Sequence, residues 1–232
     1  MSDISQADEP VTPDTLTATY YIDSDNPAII EYARNAVGDE TDEIEKAKKL
    51  YYAARDDFRY DPYTVDMRPE AYRASGCLER GNGFCITKAA FLAAIARAVG
   101  IPARLGYADV KNHIATQRLL DMMGTDIFAY HGYTDLHIGG KWVKATPAFN
   151  IELCEKFGVL PLEFNGRDDS IFHPFTAAGE KHMEYVNDRG TRNDLPFDEI
   201  RDAFLDIYGP DFGKTAAGGD FGAEAEAEKA AG

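Results

Sequence analysis

Cys85 is the residue of this 232-residue sequence whose type and position best suit chemistry. A glycine-rich approach, RGNGFC, leads into it, and the run at 84–100 is apolar nearly all round, which predicts a helix buried on most sides. With Asn82 as the N-cap, the thiol lies in the first turn, where free backbone N–H groups and the helix dipole favour a thiolate. The alternative is that Cys85 is simply a small buried apolar residue.

A thiol nucleophile needs a base, and a predicted β-hairpin within 127–149 carries two of the five histidines. Gly139-Gly140 predicts the two-residue turn of this hairpin. When the residues flanking the turn are paired, alternation places His131 and Thr146 on one face, diagonal to each other and about 7–8 Å apart. His131 is therefore the candidate base, with the Thr146 hydroxyl close to it.

The other four histidines are less well placed for catalysis. In the same register His137 faces Trp142, which predicts a stacked pair. His113, His173 and His182 have no partner at a useful spacing, and we interpret them as surface or structural residues. Because no paired carboxylates accompany the histidines, we expect neither a metal site nor a cofactor.

Helices precede strands along the chain, which predicts an α+β domain. Thr- and Tyr-rich residues 16–22 predict a first strand. We expect helices over 27–37, from near Thr41 to FRYDPY (58–63), over 113–123, over 150–157 and, as the last, over 197–208. Further strands are expected at 101–110 and 182–186, and a second hairpin at 162–175.

The two ends of the chain are poor in residues that a core would bury. We expect residues 1–15 to form a flexible acidic tail and residues 211–232, rich in Ala, Gly and acids, to be disordered. The predicted domain spans 16–210, and within it 151–210 is expected to form a cap over the cleft. Folding at this length buries a substantial core.

Composition excludes several classes of partner. Lys and Arg total 24 against 40 Asp and Glu, a net charge of −16, which disfavours nucleic acid and anionic membranes. The start, MSDISQADEPVTPD, lacks the basic and apolar regions of a signal peptide, so we expect a cytoplasmic protein. Three cysteines without a CxxC spacing predict neither a disulfide framework nor a zinc ribbon.

Four motifs, in this order, resemble the transglutaminase-like superfamily, in particular the transglutaminase-domain proteins of bacterial type. They are FRYDPY at 58–63, GNGFC at 81–85, GIPAR at 100–104 and HGYTDLHIGGKWVKATP at 131–147. The resemblance covers residues 55–150. It implies a papain-like core in which a cysteine begins a buried helix packed on an antiparallel sheet.

The resemblance implies a role for each matching residue. Cys85 corresponds to the nucleophile and His131 to its base. The family's third member, an aspartate, is Thr146 here. A threonine hydroxyl can set the imidazole tautomer but supplies no charge, so we expect a weaker thiolate–imidazolium pair than in a relative with the aspartate.

Other polar residues could assist this pair. Asp135 and Asn150 are possible substitutes for the missing aspartate, although Asp135 is expected to face Lys144. An oxyanion hole would use the backbone N–H of Cys85 and one further donor. The candidates for that donor are Asn82, Tyr60 and Tyr133.

The predicted function is cysteine-dependent acyl transfer, in which an amide or ester is cleaved or exchanged through a thioester intermediate. The substrate is expected to be a small molecule or a peptide. A second form of acyl transfer is that of an arylamine-acetyltransferase-like enzyme, because that family also has Arg-Gly-Gly before its cysteine. That family keeps the aspartate, so the match is partial. The alternative of another class is a non-catalytic protein that kept the fold to bind a ligand or partner, and Thr146 supports it.

Overall fold

Helices and mostly antiparallel strands make up the structure, a computed structural model that describes residues 9–113, 115–172, 182–213 and 219–231. The α-helices are α1 (Pro27–Val37), α2 (Glu43–Asp56), α3 (Ala74–Arg80), α4 (Cys85–Ala98), α5 (Gln117–Met123), α6 (Ile151–Phe157), α7 (Phe197–Tyr208) and α8 (Phe221–Ala231). The strands are β1 (Arg59–Tyr60), β2 (Asn82–Gly83), β3 (Ala103–Asn112), β4 (Ile127–Ile138), β5 (Lys141–Ala145) and β6 (Met183–Arg192). This mixture confirms the predicted α+β class.

Helix α4 lies at the centre of the molecule. The main sheet has the antiparallel order β5-β4-β3-β6, and α4 packs across β4 and β3. Helices α1, α2 and α3 contact α4 from its other sides. Every residue from Cys85 to Arg97 is buried, which confirms the helix predicted at 84–100 as one enclosed on most sides.

A buried lysine of α4 binds the backbone where α2 ends. Lys88 is fully buried, and its ammonium donates to the carbonyl oxygens of Arg55, at 2.8 Å, and Phe58, at 2.6 Å. Burial lowers the pKa of Lys88 to about 7. These bonds hold the end of α2 against the first turns of α4, and the chain that leaves α2 enters β1 at Arg59.

The start of α4 differs from the prediction. Asn82 is not the N-cap, because residues 82 and 83 form β2 and pair in parallel with Arg59 and Tyr60 of β1. The N-cap is Phe84, whose N–H donates to the Thr87 hydroxyl at 3.1 Å. Cys85 is therefore the first helical residue rather than the third.

The hairpin that carries the candidate base has the predicted register. Asp135 pairs with Lys144 and His137 with Trp142 around the Gly139-Gly140 turn. The rings of His137 and Trp142 are in contact as predicted, with centres 5.2 Å apart, but they meet edge-on at 70° rather than stacked. Strand β5 ends at Ala145, opposite Thr134, so β4 runs on without a partner on that side toward His131.

Most other predicted elements are present with shifted ends. The helices expected at 27–37, 113–123, 150–157 and 197–208 are α1, α5, α6 and α7, and the one expected from near Thr41 is α2. The strand expected at 101–110 is β3, and the one at 182–186 belongs to the longer β6. In the ranges that the structure describes, no helix is both long and apolar enough to cross a bilayer.

Two predicted β elements are wrong. Residues 16–22 form no strand, because Thr19 makes local bonds instead: its N–H donates to the Ile22 carbonyl and its hydroxyl accepts from the Ile22 N–H. Residues 162–172 form no hairpin either. Asn165 bends the chain through a side-chain oxygen that accepts from Arg167 and Asp168, and Ser170 then forms an isolated parallel bridge with Ala145.

Described residues near both ends of the chain pack on the rest of the domain, which their composition does not predict. The Glu9 carbonyl accepts from the Trp142 indole at 2.8 Å, and its carboxylate pairs with Arg104. At the other end α8 is a helix rather than a disordered tail, because Phe221 is 3 % exposed and packs on the rings of Tyr60 and Phe157. Residues 1–8, 214–218 and 232 lie outside the described ranges.

Candidate active site

The Cys85 thiol lies in the first turn of α4 among several hydrogen-bond donors. It is 7 % exposed, and burial raises its pKa to about 11. The backbone N–H groups of Gly132, Ile86 and Cys85 itself and the hydroxyl of Tyr60 act in the opposite direction, because a donor near the sulfur lowers the pKa of the thiol. The helix start therefore supplies the predicted donors, but burial outweighs them and the resting thiol is protonated at neutral pH.

Gly132 brings strand β4 against this turn. A Cβ at Gly132 would lie only 3.0 Å from the Cα of Ile86 and 3.3 Å from the Cys85 carbonyl oxygen. Only a residue without a side chain lets the strand approach the helix so closely. As a result, the backbone of His131, the residue before Gly132 in β4, lies close to Cys85.

The His131 side chain lies on the other face of β4. Gly132 contacts α4, and the Thr134 hydroxyl donates to the Ala89 carbonyl of α4 at 2.8 Å, so the even-numbered residues face the helix. Alternation along the strand places His131 on the opposite face. The structure therefore brings His131 and Cys85 close in backbone, but no hydrogen bond joins the imidazole to the thiol within the described ranges.

His131 is a neutral, buried imidazole. It is 3 % exposed, and burial, followed by the neighbouring His182, lowers its pKa to about 4. Its Nε2 has no hydrogen-bond partner among the residues that the structure describes, and neither does Oγ1 of Thr146, which is 1 % exposed. The predicted bond between Thr146 and His131 is thus not formed here, although both side chains are buried.

The backbone before His131 is strained. Tyr130 has a φ of +54°, the one positive φ at a non-glycine residue among those described. The Asp109 carboxylate accepts from the Tyr130 N–H at 3.1 Å and from Arg189 Nε at 2.6 Å, and the Arg189 guanidinium lies 4.2 Å from the Tyr130 ring. Strands β3 and β6 thereby hold the bend that presents His131.

Of the three candidate oxyanion donors, Tyr60 acts on the thiol. Burial, and next the charge of a Cys85 thiolate, raise the pKa of Tyr60 far above its usual value, so the hydroxyl keeps its proton and can donate it in a hydrogen bond. The Tyr60 N–H donates to Asn150 Oδ1 at 3.0 Å. Asn150, expected as a possible substitute for the family's aspartate, therefore holds Tyr60 in place.

Asn82 and Tyr133, the other two candidates, have different surroundings. Oδ1 of Asn82 is buried without a partner in the described part of the chain, and β2 holds its backbone. The Tyr133 ring lies over Gly106, where a Cβ would come within 2.1 Å of it, and Lys144 Nζ lies 5.0 Å from the ring centre. Neither acts on the Cys85 thiol as Tyr60 does.

The Asp135 carboxylate has a different partner from the one expected. It is opposite Lys144 in the register, but its carboxylate pairs with Arg104 Nε at 2.9 Å, since Arg104 is its partner on β3. Burial raises the pKa of Asp135 to about 6, against the lowering effect of Arg104. The Arg104 guanidinium lies 4.2 Å from the Trp142 ring, so Asp135 belongs to this structural cluster and not to the surroundings of His131.

The sequence interpretation missed a ring cluster around His131. Phe172 lies 5.6 Å from the His131 ring and 5.3 Å from the ring of His182, which is 6 % exposed. His113 has a partner as well, Glu184 of β6 at 3.0 Å. These contacts join residues far apart in sequence, and no local spacing signals them.

The sequence also singled out His173, the groups that could bind a metal and the three cysteines. His173 lies outside the described residues. Among the residues that are described, no three His, Cys, Asp or Glu side chains come together as metal ligands. The three cysteines are all free and buried.

Comparison with known proteins identifies the family. The sequence model of the transglutaminase-like superfamily matches residues 30–147, just over half of the chain. A proposed cysteine protease from Cytophaga hutchinsonii is similar in structure at 18 % identity and a TM-score of 0.45, over 78 % of this chain and 55 % of its own. A proposed protease from Parabacteroides distasonis is similar at 14 % identity and a TM-score of 0.40, over 63 % of this chain.

This chain spans about half of the first of these proteins and 31 % of the second. No curated protein matches the sequence. The family match runs from within α1 to just beyond β5, and so includes the first turn of α4, the hairpin and the residues Cys85, His131 and Thr146. The chain belongs to the transglutaminase-like superfamily.

Proposed function

We propose that this protein is a cysteine-dependent enzyme that transfers an acyl group from an amide or ester through a thioester intermediate. Cys85 is the nucleophile, His131 the base, and Thr146 stands where relatives have an aspartate. The observation that carries the proposal is the group of donors around the Cys85 sulfur: three backbone N–H groups and the Tyr60 hydroxyl. Such a group suits an anion that forms on the sulfur or on an oxygen beside it.

The resting state in this proposal is a neutral pair. The pKa of the thiol is raised to about 11 and that of His131 is lowered to about 4, so at pH 7 the thiol keeps its proton and the imidazole is free to accept it. The proton moves when the sulfur attacks the carbonyl carbon, and the positive charge on His131 exists only during the reaction. A neutral imidazole is the form that a general base requires.

The reaction then has two halves. In the first, the Sγ–C bond forms, the thiol proton passes to His131, and the backbone N–H of Cys85 and the Tyr60 hydroxyl stabilise the carbonyl oxygen. The bond to the leaving amine or alcohol breaks, and that group takes the proton from His131. In the second half, water or another nucleophile gives its proton to His131 and attacks the thioester carbon. The Sγ–C bond then breaks, and the sulfur takes the proton from His131 to restore the thiol.

Substrate and setting are also part of the proposal. The net charge of −16 disfavours nucleic acid and anionic lipid as partners, so a small molecule or a peptide in the cytoplasm is the proposed substrate.

A second candidate function is a ligand-binding protein without catalysis. Its support is that the imidazole of His131 is bonded neither to the Cys85 thiol nor to the Thr146 hydroxyl, and that Thr146 lacks the charge of an aspartate. Chromogenic esters and amides distinguish the two functions. We expect turnover and a thioester adduct on Cys85, measured by intact-protein mass.

Cys85→Ala should lower turnover by at least about 10³-fold, since it removes the nucleophile. Cys77→Ala is the matched control, because Cys77 is also a buried thiol with a pKa raised to about 11. Equal turnover in Cys85→Ala and the wild type would exclude the proposed enzyme. A correctly folded wild type that forms no adduct and turns over no ester or amide would favour the ligand-binding protein.

A further inference from the structure

A cavity of about 40 Å³ opens beside the Cys85 thiol. Residues of α5, β4 and α7 and of the turn after α7 close it from the other sides. The residues that line it are apolar apart from Cys85 and two tyrosines, Tyr60 and Tyr208. The larger apolar side chains are those of Phe84, Leu119, Met123, Phe128, Phe204 and Phe212.

The few polar atoms at this cavity already have partners. The Tyr208 hydroxyl accepts from the Ala129 N–H at 2.6 Å and donates to the Ile127 carbonyl at 3.1 Å. The Tyr60 hydroxyl acts on the Cys85 sulfur. No charged side chain lines the cavity. A charged group placed there would lose its hydration and find no partner, which is strongly unfavourable.

We infer that this cavity is the acyl-binding site of the enzyme and that it takes a short, uncharged, apolar acyl group. The inference rests on the proposed function and adds the substrate class to it. About 40 Å³ holds roughly three water-sized groups when each needs about 10–15 Å³. An acyl group of about two to four carbons therefore fits, with its carbonyl carbon at the sulfur.

The position of the cavity separates the acyl group from the leaving group. The cavity is bounded by Cys85 and by Phe128 and Ala129 of β4, whereas His131 is not part of its lining. With the acyl chain in the cavity, the leaving oxygen or nitrogen lies outside it, and proton transfer from His131 requires the imidazole to turn from the other face of β4. The Sγ–C bond forms as the bond to the leaving group breaks, and water then releases the short carboxylic acid.

The test compares two 4-nitrophenyl esters with four-carbon acyl groups, the butyrate and the succinate monoester, which differ by a terminal carboxylate. We expect kcat/KM for the butyrate to exceed that for the succinate by at least about 100-fold after subtraction of the uncatalysed rate, because the carboxylate would be buried unpaired. The Cys85 adduct, measured by intact mass, should show the same preference. Rates within tenfold of each other would overturn the inference.

A variant of the lining tests the site itself. Met123→Lys places an ammonium at the cavity and should shift the butyrate-to-succinate ratio at least about tenfold toward the succinate. Met122→Lys is the matched control, because Met122 is only half-buried and does not line the cavity. If Met123→Lys does not fold, Met123→Ala should move the preferred acyl chain to greater length. An unchanged preference in the folded Met123 variants would overturn the inference.

Failure of the inference and failure of the proposed function can be told apart. If Cys85→Ala abolishes hydrolysis of both esters while the wild type does not discriminate between them, the enzyme stands and the apolar acyl site is wrong. If Cys85→Ala hydrolyses both esters as the wild type does, the proposed function itself is wrong, and the inference with it.

Discussion

The first turn of α4 and the outer face of β4 carry the two halves of the proposed machinery, and they are built differently. The sulfur of Cys85 has four donors around it before any substrate is present. His131, on the other face of β4, and Thr146, just after β5, are buried, and each has a polar atom without a partner among the described residues. A buried polar group in that state costs about 1–3 kcal/mol.

This difference indicates which half is prepared in advance. The anion-stabilising half comes from backbone groups and one held tyrosine, so it needs no rearrangement when charge develops. In the proton-transfer half only the backbone is fixed, because Asp109 accepts a hydrogen bond from the N–H of Tyr130, the residue before His131. Nε2 of His131 and Oγ1 of Thr146 have no hydrogen-bond partner among the described residues. In the proposed enzyme, the His131 imidazole must turn from the other face of β4 toward Cys85 before it can accept the thiol proton.

Of the changes that test this comparison, removing the base should have the largest effect. His131→Ala should lower kcat by about 10²–10⁴-fold, since general-base catalysis contributes that much. His137→Ala is the control on the same strand, because the His137 ring contacts the Trp142 ring edge-on instead. Steady-state kinetics with circular dichroism of both variants makes the measurement. A larger loss in His137→Ala would mean that the base has been assigned to the wrong histidine.

The pH dependence of the thiol tests whether the resting pair is neutral. With a pKa of about 11, the thiolate fraction of Cys85 rises as pH rises toward that value. Iodoacetamide labelling at Cys85, followed by peptide mapping, should therefore accelerate about 100-fold from pH 7 to pH 9, tenfold per unit below the pKa. Fast labelling at pH 6 would instead indicate a preformed thiolate–imidazolium pair.

Tyr60→Phe tests the donor half and should have an intermediate effect. The variant removes a hydroxyl that stabilises negative charge, so kcat should fall about 10- to 100-fold, toward the range seen for one oxyanion donor. Labelling of Cys85 should also slow, because the hydroxyl lowers the pKa of the thiol.

Tyr72→Phe is the matched control for this measurement. The Tyr72 hydroxyl is buried near the same helix start and has no hydrogen-bond partner among the described residues. If Tyr60→Phe matches Tyr72→Phe in both kcat and labelling rate, Tyr60 has only a structural role.

The smallest effect is expected at Thr146. A neutral hydrogen bond contributes about 0.5–1.5 kcal/mol, so Thr146→Val should lower kcat/KM by about three- to tenfold. Thr146→Ser keeps the hydroxyl and should keep most of the activity. Thr146→Asp should move the acid limb of Cys85 labelling to lower pH, since a carboxylate stabilises an imidazolium. Unchanged kcat/KM in Thr146→Val would make Thr146 a structural residue.

Local patterns predicted the elements nearest the site. Gly139-Gly140 and the alternation on either side determine the hairpin register, because a one-residue shift would turn every side chain to the wrong face. The apolar run at 84–100 similarly predicts a buried helix. The N-cap of that helix was not predictable, because Asn82 pairs with Arg59 of β1 instead of capping the helix, and Arg59 belongs to a separate part of the sequence.

Tertiary contacts also decided which polar residues act on which. Asn150 binds the Tyr60 N–H, Asp135 pairs with Arg104, and His182 lies close enough to His131 to lower its pKa. The buried position of Phe221 turns an Ala- and acid-rich end into a packed helix. Each of these contacts joins separate elements, so spacing along the chain carries no signal of them.

The sequence by itself determined the class of the fold, the family motifs, and the positions of Cys85, His131 and Thr146 on a helix start and a hairpin, because periodicity and turn residues act locally. Only the tertiary structure decided their chemical state. Burial of the thiol and of the imidazole shifts the pKa of Cys85 up to about 11 and that of His131 down to about 4, opposite to what a helix N-terminus beside a histidine predicts. Desolvation depends on how many atoms surround a group, and those atoms come from the whole fold.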